Sequence, residues 1–67
     1  MNVQRYKSKI ATILQKDYDL SPRASKMLID KFEVEKHLDH FEQLTPNQAA
    51  MLMIDGLLEY YKQKGAI

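Results

Sequence analysis

The segment 46–64 carries more apolar surface than a single helix of a small domain needs. Placed on a helix at about 100° per residue, its apolar side chains cover an arc roughly 200° wide, whereas a stripe somewhat over 100° is usual. These side chains are Ala49, Ala50, Met51, Met53, Ile54, Leu57, Leu58, Tyr60 and Tyr61. In a short chain such a surface is covered by the other helices, by a second copy of the chain or by another protein.

The size of the chain favours association as a source of stability. With 67 residues it can form one domain, and a single core of that size rarely supplies more than a few kcal/mol. The chain has no cysteine and two histidines, so disulfides are excluded and a structural metal is not expected. We therefore predict a single helical domain over residues 1–67 that gains further burial by binding a protein, with a homodimer as the first candidate.

Two helix starts are marked by a hydroxyl residue followed by proline. Ser21-Pro22 and Thr45-Pro46 each supply an N-cap side chain and then a residue whose missing N–H costs nothing at the first helical position. Gln48 stands three residues after Thr45, which is the spacing of a capping box. With Asn2 as the cap of a first helix and Gly65 as the end of the last, the sequence predicts helices at about 3–16, 22–43 and 46–64.

The apolar pattern of the middle segment changes direction partway along. Leu28 centres the apolar stripe before Phe32, whereas Leu38 centres it roughly 110° away after that residue. A continuous helix would also place Lys31 and Glu35 in the stripe. We therefore predict an all-α fold, a small three-helix domain with the middle helix kinked or broken near residues 32–34, or else four short helices.

The sequence carries no motif that points to catalysis. Its one notable cluster of titratable side chains is Glu33, Lys36, His37 and His40, in which the two histidines could share a helix face. A zinc site needs further ligands that the surrounding sequence does not offer at a suitable spacing, so a solvated polar face is favoured. The two glycines do not form a phosphate-binding loop. We expect a protein without enzymatic activity, metal or other cofactor.

Charge is unevenly divided along the chain, although the net charge is only +1. Residues 1–31 carry seven bases and three acids, a net of +4, and residues 32–67 carry three bases and six acids, a net of −3. On the first helix Arg5, Lys9 and Lys16 share the face opposite the apolar one and could follow a nucleic-acid backbone. The segment 34–43, the candidate reading helix of a helix-turn-helix, is acidic, so nucleic acid is the alternative partner and not the favoured one.

One side of the last helix would let another helix approach closely. Gly56 in a helix interior costs roughly 0.5–1 kcal/mol relative to alanine, a loss that close packing could offset. The residues around it form the candidate protein interface, which consists of Ala49, Leu52, Met53, Gly56, Leu57 and Tyr60. The alternative is that this helix is central and that the other helices cover the same side chains as core.

These features predict a small non-enzymatic helical protein-interaction module that acts through the wide apolar face of its last helix. It would be a homodimer, or an adaptor or inhibitor of a larger bacterial or phage protein. The alternative is a nucleic-acid-associated accessory protein that uses the basic face of the first helix. Because the sequence shows neither a signal peptide nor an apolar run long enough to span a membrane, we expect a cytoplasmic protein without a membrane partner.

Overall fold

The computed structural model describes residues 2–63, apart from the side chain of Tyr61. Its helices are α1 (Val3–Asp17), α2 (Pro22–Phe32), α3 (Leu38–Phe41) and α4 (Pro46–Gln63), and a 3₁₀ turn (Val34–His37) joins α2 to α3. Together α2, the 3₁₀ turn and α3 make the bent middle helix of a three-helix domain, and residues 2–63 contain no strand. The predicted all-α class and three-helix architecture are confirmed.

Side chains cap the first two helices as predicted. Asn2 Oδ1 accepts a hydrogen bond from the backbone N–H of Arg5 at 3.0 Å. Ser21 Oγ accepts one from the backbone N–H of Ala24 at 3.1 Å. Each bond satisfies an N–H group that has no partner inside its helix, so the capping side chain determines where the helix begins.

The capping box at the start of α4 is also confirmed. Thr45 Oγ1 accepts from the N–H of Gln48 at 3.2 Å, while Gln48 Oε1 accepts from the N–H of Thr45 at 2.9 Å. At the other end of α4, Lys62 lies in the last turn, where its charge complements the helix dipole. The predicted helix end at Gly65 lies outside the described residues.

The middle helix bends at Glu33, within the predicted interval. Glu33 has the left-handed conformation, with φ 49° and ψ 58°, and its N–H donates a hydrogen bond to the carbonyl of Asp30 at 3.2 Å. The chain then continues as a 3₁₀ turn, so the apolar side chains before and after the bend can face the same core. Lys31 and Glu35 both stay exposed, and Glu35 forms an ion pair of 2.6 Å with Lys7 on α1.

The core lies where α1 crosses the other helices. Ile10 and Leu14 on α1 are fully buried. The buried apolar side chains of the whole core are Tyr6, Ile10, Leu14, Leu28, Ile29, Val34, Phe41, Ala49, Ala50 and Met53. All described helices and the 3₁₀ turn contribute to this list, so the core depends on the complete fold.

Tyr6 joins the start of α1 to the segment between α3 and α4. Its hydroxyl lies 3.1 Å from the carbonyl oxygen of Phe41 and 2.9 Å from that of Leu44. Its ring packs edge-on against the ring of Phe41, with centroids 6.5 Å apart. This contact places the beginning of α1 next to the beginning of α4.

The far ends of α1 and α4 also lie near each other. Leu20, just past the end of α1, lines a groove together with Leu57 and Tyr60 in the second half of α4. The two helices therefore run in the same general direction. α2 begins beside these ends, just after Leu20, and its last residue Phe32 lies against Gly56 of α4. One side of α2 forms a wall of that groove.

Candidate interaction surface

Five large apolar side chains are exposed among the described residues. The exposed fractions are 64% for Met27, 57% for Met51, 37% for Leu52, 57% for Leu58 and 39% for Tyr60. Single exposed apolar residues are ordinary on protein surfaces, whereas apolar groups placed together point to binding. The position of each on its helix therefore matters more than its exposure alone.

Met27 and Tyr60 lie on opposite walls of an apolar groove between α2 and α4, which we name the α2/α4 groove. Its volume is about 340 Å³, at the lower end of the range of ligand clefts. The groove is lined by Leu20, Ala24, Met27, Leu28, Lys31, Leu57 and Tyr60. A smaller hollow of about 200 Å³ shares several of these residues and extends the groove to Phe32 and Gly56.

Among residues 2–63, Lys31 is the one charged residue that lines the α2/α4 groove. Its Nζ lies 3.7 Å from the centroid of the Tyr60 ring, within the range of a cation–π contact. The contact holds the ammonium group at the rim while the aliphatic part of Lys31 contributes to the wall. The groove therefore combines an apolar floor with a positive charge on its edge.

A second exposed apolar surface lies on α4, which we name the outer stripe. It consists of Met51, Ile54 and Leu58, whose spacing of three and four residues places them along one side of a helix. Ile54 is half-buried against the core, and Met51 and Leu58 are exposed. Asp55 and Lys62 are exposed and lie beside the stripe, at angles of about 40° and 20° from Met51 on the helix.

The structure divides the predicted interface residues between core and surface. Ala49 and Met53 are completely buried within the chain, so they are corrected from candidate contacts to core residues. Periodicity indicates only that they face the same way as Leu57 and Tyr60, and α1 covers the first half of α4. Leu57 is half-buried in the groove, while Leu52 and Tyr60 remain exposed.

Gly56 allows a close approach, but the approaching group belongs to the same chain. A Cβ at this position would lie 2.6 Å from Cζ of Phe32 at the end of α2. The close packing inferred from sequence is therefore present inside the domain. The place where a second helix was expected is occupied by Phe32.

The basic residues predicted as the alternative nucleic-acid surface all lie on α1. Arg5, Lys9 and Lys16 are all exposed. Arg5 and Lys9 line a shallow depression beside the start of α4, together with the carboxylate-bearing Glu42, whereas Lys16 lies in the last turn of α1. Glu42 lowers the positive potential that a phosphate would experience in that depression.

The histidine cluster lies on the exposed side of the bent helix. His37 and His40 are both exposed, and the ring of His40 packs edge-on against Phe41 with centroids 5.5 Å apart. Glu33 pairs with Lys36 at 3.4 Å. Across residues 2–63, no three His, Cys, Asp or Glu side chains are placed to hold a metal ion.

The α2/α4 groove itself was missed by the sequence analysis. Its wall residue Met27 stands one position from Leu28, the centre of the apolar stripe of α2, and an apolar flank of a stripe is normally covered. The sequence feature that could have indicated the groove is the width of the apolar surface on both α2 and α4. Neither segment by itself indicates that the apolar edge of α2 lies next to the apolar edge of α4.

No protein-family model, curated protein or solved structure matches the chain. Within residues 2–63, none of the helices has the length and apolarity needed to cross a bilayer. The fold and its surface features are therefore the basis for a functional proposal.

Proposed function

We propose that this protein is a small non-enzymatic interaction module that binds a second copy of itself or a larger protein through apolar surface on α4. The function is the protein-binding role predicted from the sequence, but the proposed contact surface differs from the predicted one. The binding residues are those of the α2/α4 groove and the outer stripe, because the part of the α4 face around Ala49 and Met53 is internal.

The observation that carries the proposal is the α2/α4 groove. Its walls are apolar, its floor includes the buried Leu28, and Met27 stands 64% exposed on one edge. An amphipathic helix of a partner commonly binds in such a groove with its apolar face inward. Two methionines, Met27 and Met51, add flexible side chains that can adapt to a bound surface.

The test is the absolute molar mass in solution over a series of protein concentrations at low and high salt. Apolar association persists at high salt, whereas binding to a phosphate backbone falls steeply as salt rises. Association that persists at high salt and is lost in Met27→Glu supports the proposal. The matched control is Lys26→Glu, an exposed position of α2 outside the groove.

If the wild-type chain is monomeric at every concentration, it serves as bait for partner proteins, with Met27→Glu as the control bait. Capture that depends on Met27 supports an adaptor or inhibitor. A monomer that captures nothing and binds DNA in a salt-sensitive way through Arg5 and Lys9 would overturn the proposal in favour of the nucleic-acid alternative.

A further inference from the structure

We propose that the outer stripe of α4 in one copy docks into the α2/α4 groove of a second copy, so that the protein associates head to tail. This inference rests on the proposed interaction function and names its partner as the chain itself. Both halves of the contact are present on each molecule, and they lie on different sides of α4. A copy can therefore use its groove and its stripe at the same time.

The two surfaces match in length. Met51 and Leu58, the exposed ends of the outer stripe, are seven residues apart, which is about 10 Å along a helix. Ala24 and Lys31, both lining the groove on α2, have the same separation. A helix carrying the stripe can therefore place both of its exposed apolar side chains within one groove.

The two surfaces also match in charge. Lys31 provides a positive charge on the rim, and its Nζ lies 3.7 Å from the centroid of the Tyr60 ring. The flank of α4 beside the outer stripe carries the acidic Asp55 and Glu59 and the basic Lys62, so its net charge is negative. No ion pair joins Asp55 to another residue in the described part of the chain. Docking the stripe in the groove brings opposite charges to the same edge of the contact.

The same charges disfavour pairing of groove with groove or of stripe with stripe. A two-fold dimer centred on the groove brings two Lys31 ammonium groups together, and one centred on the stripe brings two Asp55 carboxylates together. Like charges at such distances repel. Docking of stripe into groove avoids both contacts. Because the two surfaces lie on different sides of α4, one such contact leaves a free groove on one terminal copy and a free stripe on the other. The assembly therefore grows with concentration unless it closes into a ring.

The test uses two complementary variants, each blocking one surface. Met27→Glu places a carboxylate in the groove, and Leu58→Glu places one on the outer stripe. Both positions are more than half exposed, so the fold is expected to survive, and circular dichroism of each variant checks this. Each variant alone should be monomeric by light scattering, whereas an equimolar mixture should form a one-to-one dimer, because each supplies the surface that the other lacks.

Several results would overturn the inference. A wild-type mass that stops at the dimer, with a mixture of variants that stays monomeric, would show a symmetric interface and leave the proposed interaction function standing. A monomeric wild type would exclude self-docking, and the bait experiment would then decide the proposed function separately. An unchanged mass in both variants would place the contact elsewhere on the chain.

A charge exchange tests the pairing of Lys31 with Asp55. Lys31→Glu and Asp55→Lys should each weaken association by roughly fivefold, as expected for loss of an exposed ion pair. The double variant Lys31→Glu/Asp55→Lys should recover most of that loss, because the opposite charges are restored with exchanged signs. A double variant weaker than either single variant would contradict this pairing.

Discussion

Gly56 of α4 packs directly against the ring of Phe32 at the end of α2, so closely that a Cβ would lie 2.6 Å from Cζ. The ring stands immediately before the bend at Glu33, which fixes the direction in which the middle helix continues. The absence of a side chain at position 56 therefore lets α2 and α4 form the end of the groove where Phe32 lies.

Gly56→Ala tests this contact through two opposing effects. Alanine stabilises a helix interior by about 0.5–1 kcal/mol, but overpacking against Phe32 costs about 1–3 kcal/mol. We expect a net loss of about 1 kcal/mol in the free energy of unfolding, measured by urea denaturation. In a Phe32→Leu background the same substitution should become neutral or stabilising. An equal gain in both backgrounds would show that the ring moves away freely.

Thr45→Ala removes one half of the capping box at the start of α4. The N–H of Gln48 then has no side-chain acceptor at this helix end. We expect a loss of about 1 kcal/mol in unfolding free energy, seen as a lower melting temperature. Thr45→Ser keeps the hydroxyl and serves as the control. A Thr45→Ala protein that melts like the wild type would mean that the cap contributes nothing to stability.

Ser25→Ala is expected to stabilise the protein. Ser25 is completely buried, and its Oγ has no hydrogen-bond partner among the described residues. Removing a buried unsatisfied hydroxyl and gaining helix propensity together should add about 1–2 kcal/mol to the unfolding free energy. Ser8→Ala on the exposed side of α1 isolates the propensity contribution. A destabilised Ser25→Ala protein would indicate that the Ser25 hydroxyl forms a hydrogen bond in solution.

Tyr6→Phe should lower stability at neutral pH and change its dependence on alkaline pH. Loss of the hydroxyl bond to the carbonyls of Phe41 and Leu44 should cost about 1 kcal/mol. Burial raises the pKa of Tyr6 above its ordinary value of 10.0, because the phenolate is disfavoured there. The unfolded chain therefore ionises first, and the wild type loses stability as pH rises above that value.

The measurement for this prediction is the difference in melting temperature between wild type and Tyr6→Phe over neutral to alkaline pH. Both proteins share the titration of their lysines, so the difference isolates Tyr6. The difference should be constant below about pH 10 and shrink above it. A difference that stays constant through the alkaline range would show that Tyr6 ionises equally in both states.

Much of the fold was predictable because the responsible interactions are local. The capping side chains of Asn2, Ser21 and Thr45 each accept a hydrogen bond from an N–H three residues later, so the helix starts can be predicted from the sequence. The bend at Glu33 was predictable because one continuous helix would have buried Lys31 and Glu35. The apolar pattern of the middle segment is incompatible with one continuous helix, and the backbone changes direction at Glu33, which has a positive φ.

The division of the α4 surface could not be predicted in the same way. A wide apolar arc indicates that Ala49, Met53, Leu57 and Tyr60 face similar directions, and it does not indicate where a covering helix ends. In the structure the first two are core and the last two line the groove. The candidate interface was therefore predicted on the correct helix with two residues that lie in the core.

The helical segments, their starting residues and the bend in the middle helix follow from local sequence, because they depend on contacts within a few residues. Which apolar side chains are covered depends on how the helices pack. The Tyr6 hydroxyl meets the carbonyl of Leu44 across a separation of 38 residues, and Gly56 meets Phe32 across a bend. Burial on α4 follows from how α1 and α2 pack against it, and such nonlocal packing leaves no periodic signal in α4 alone.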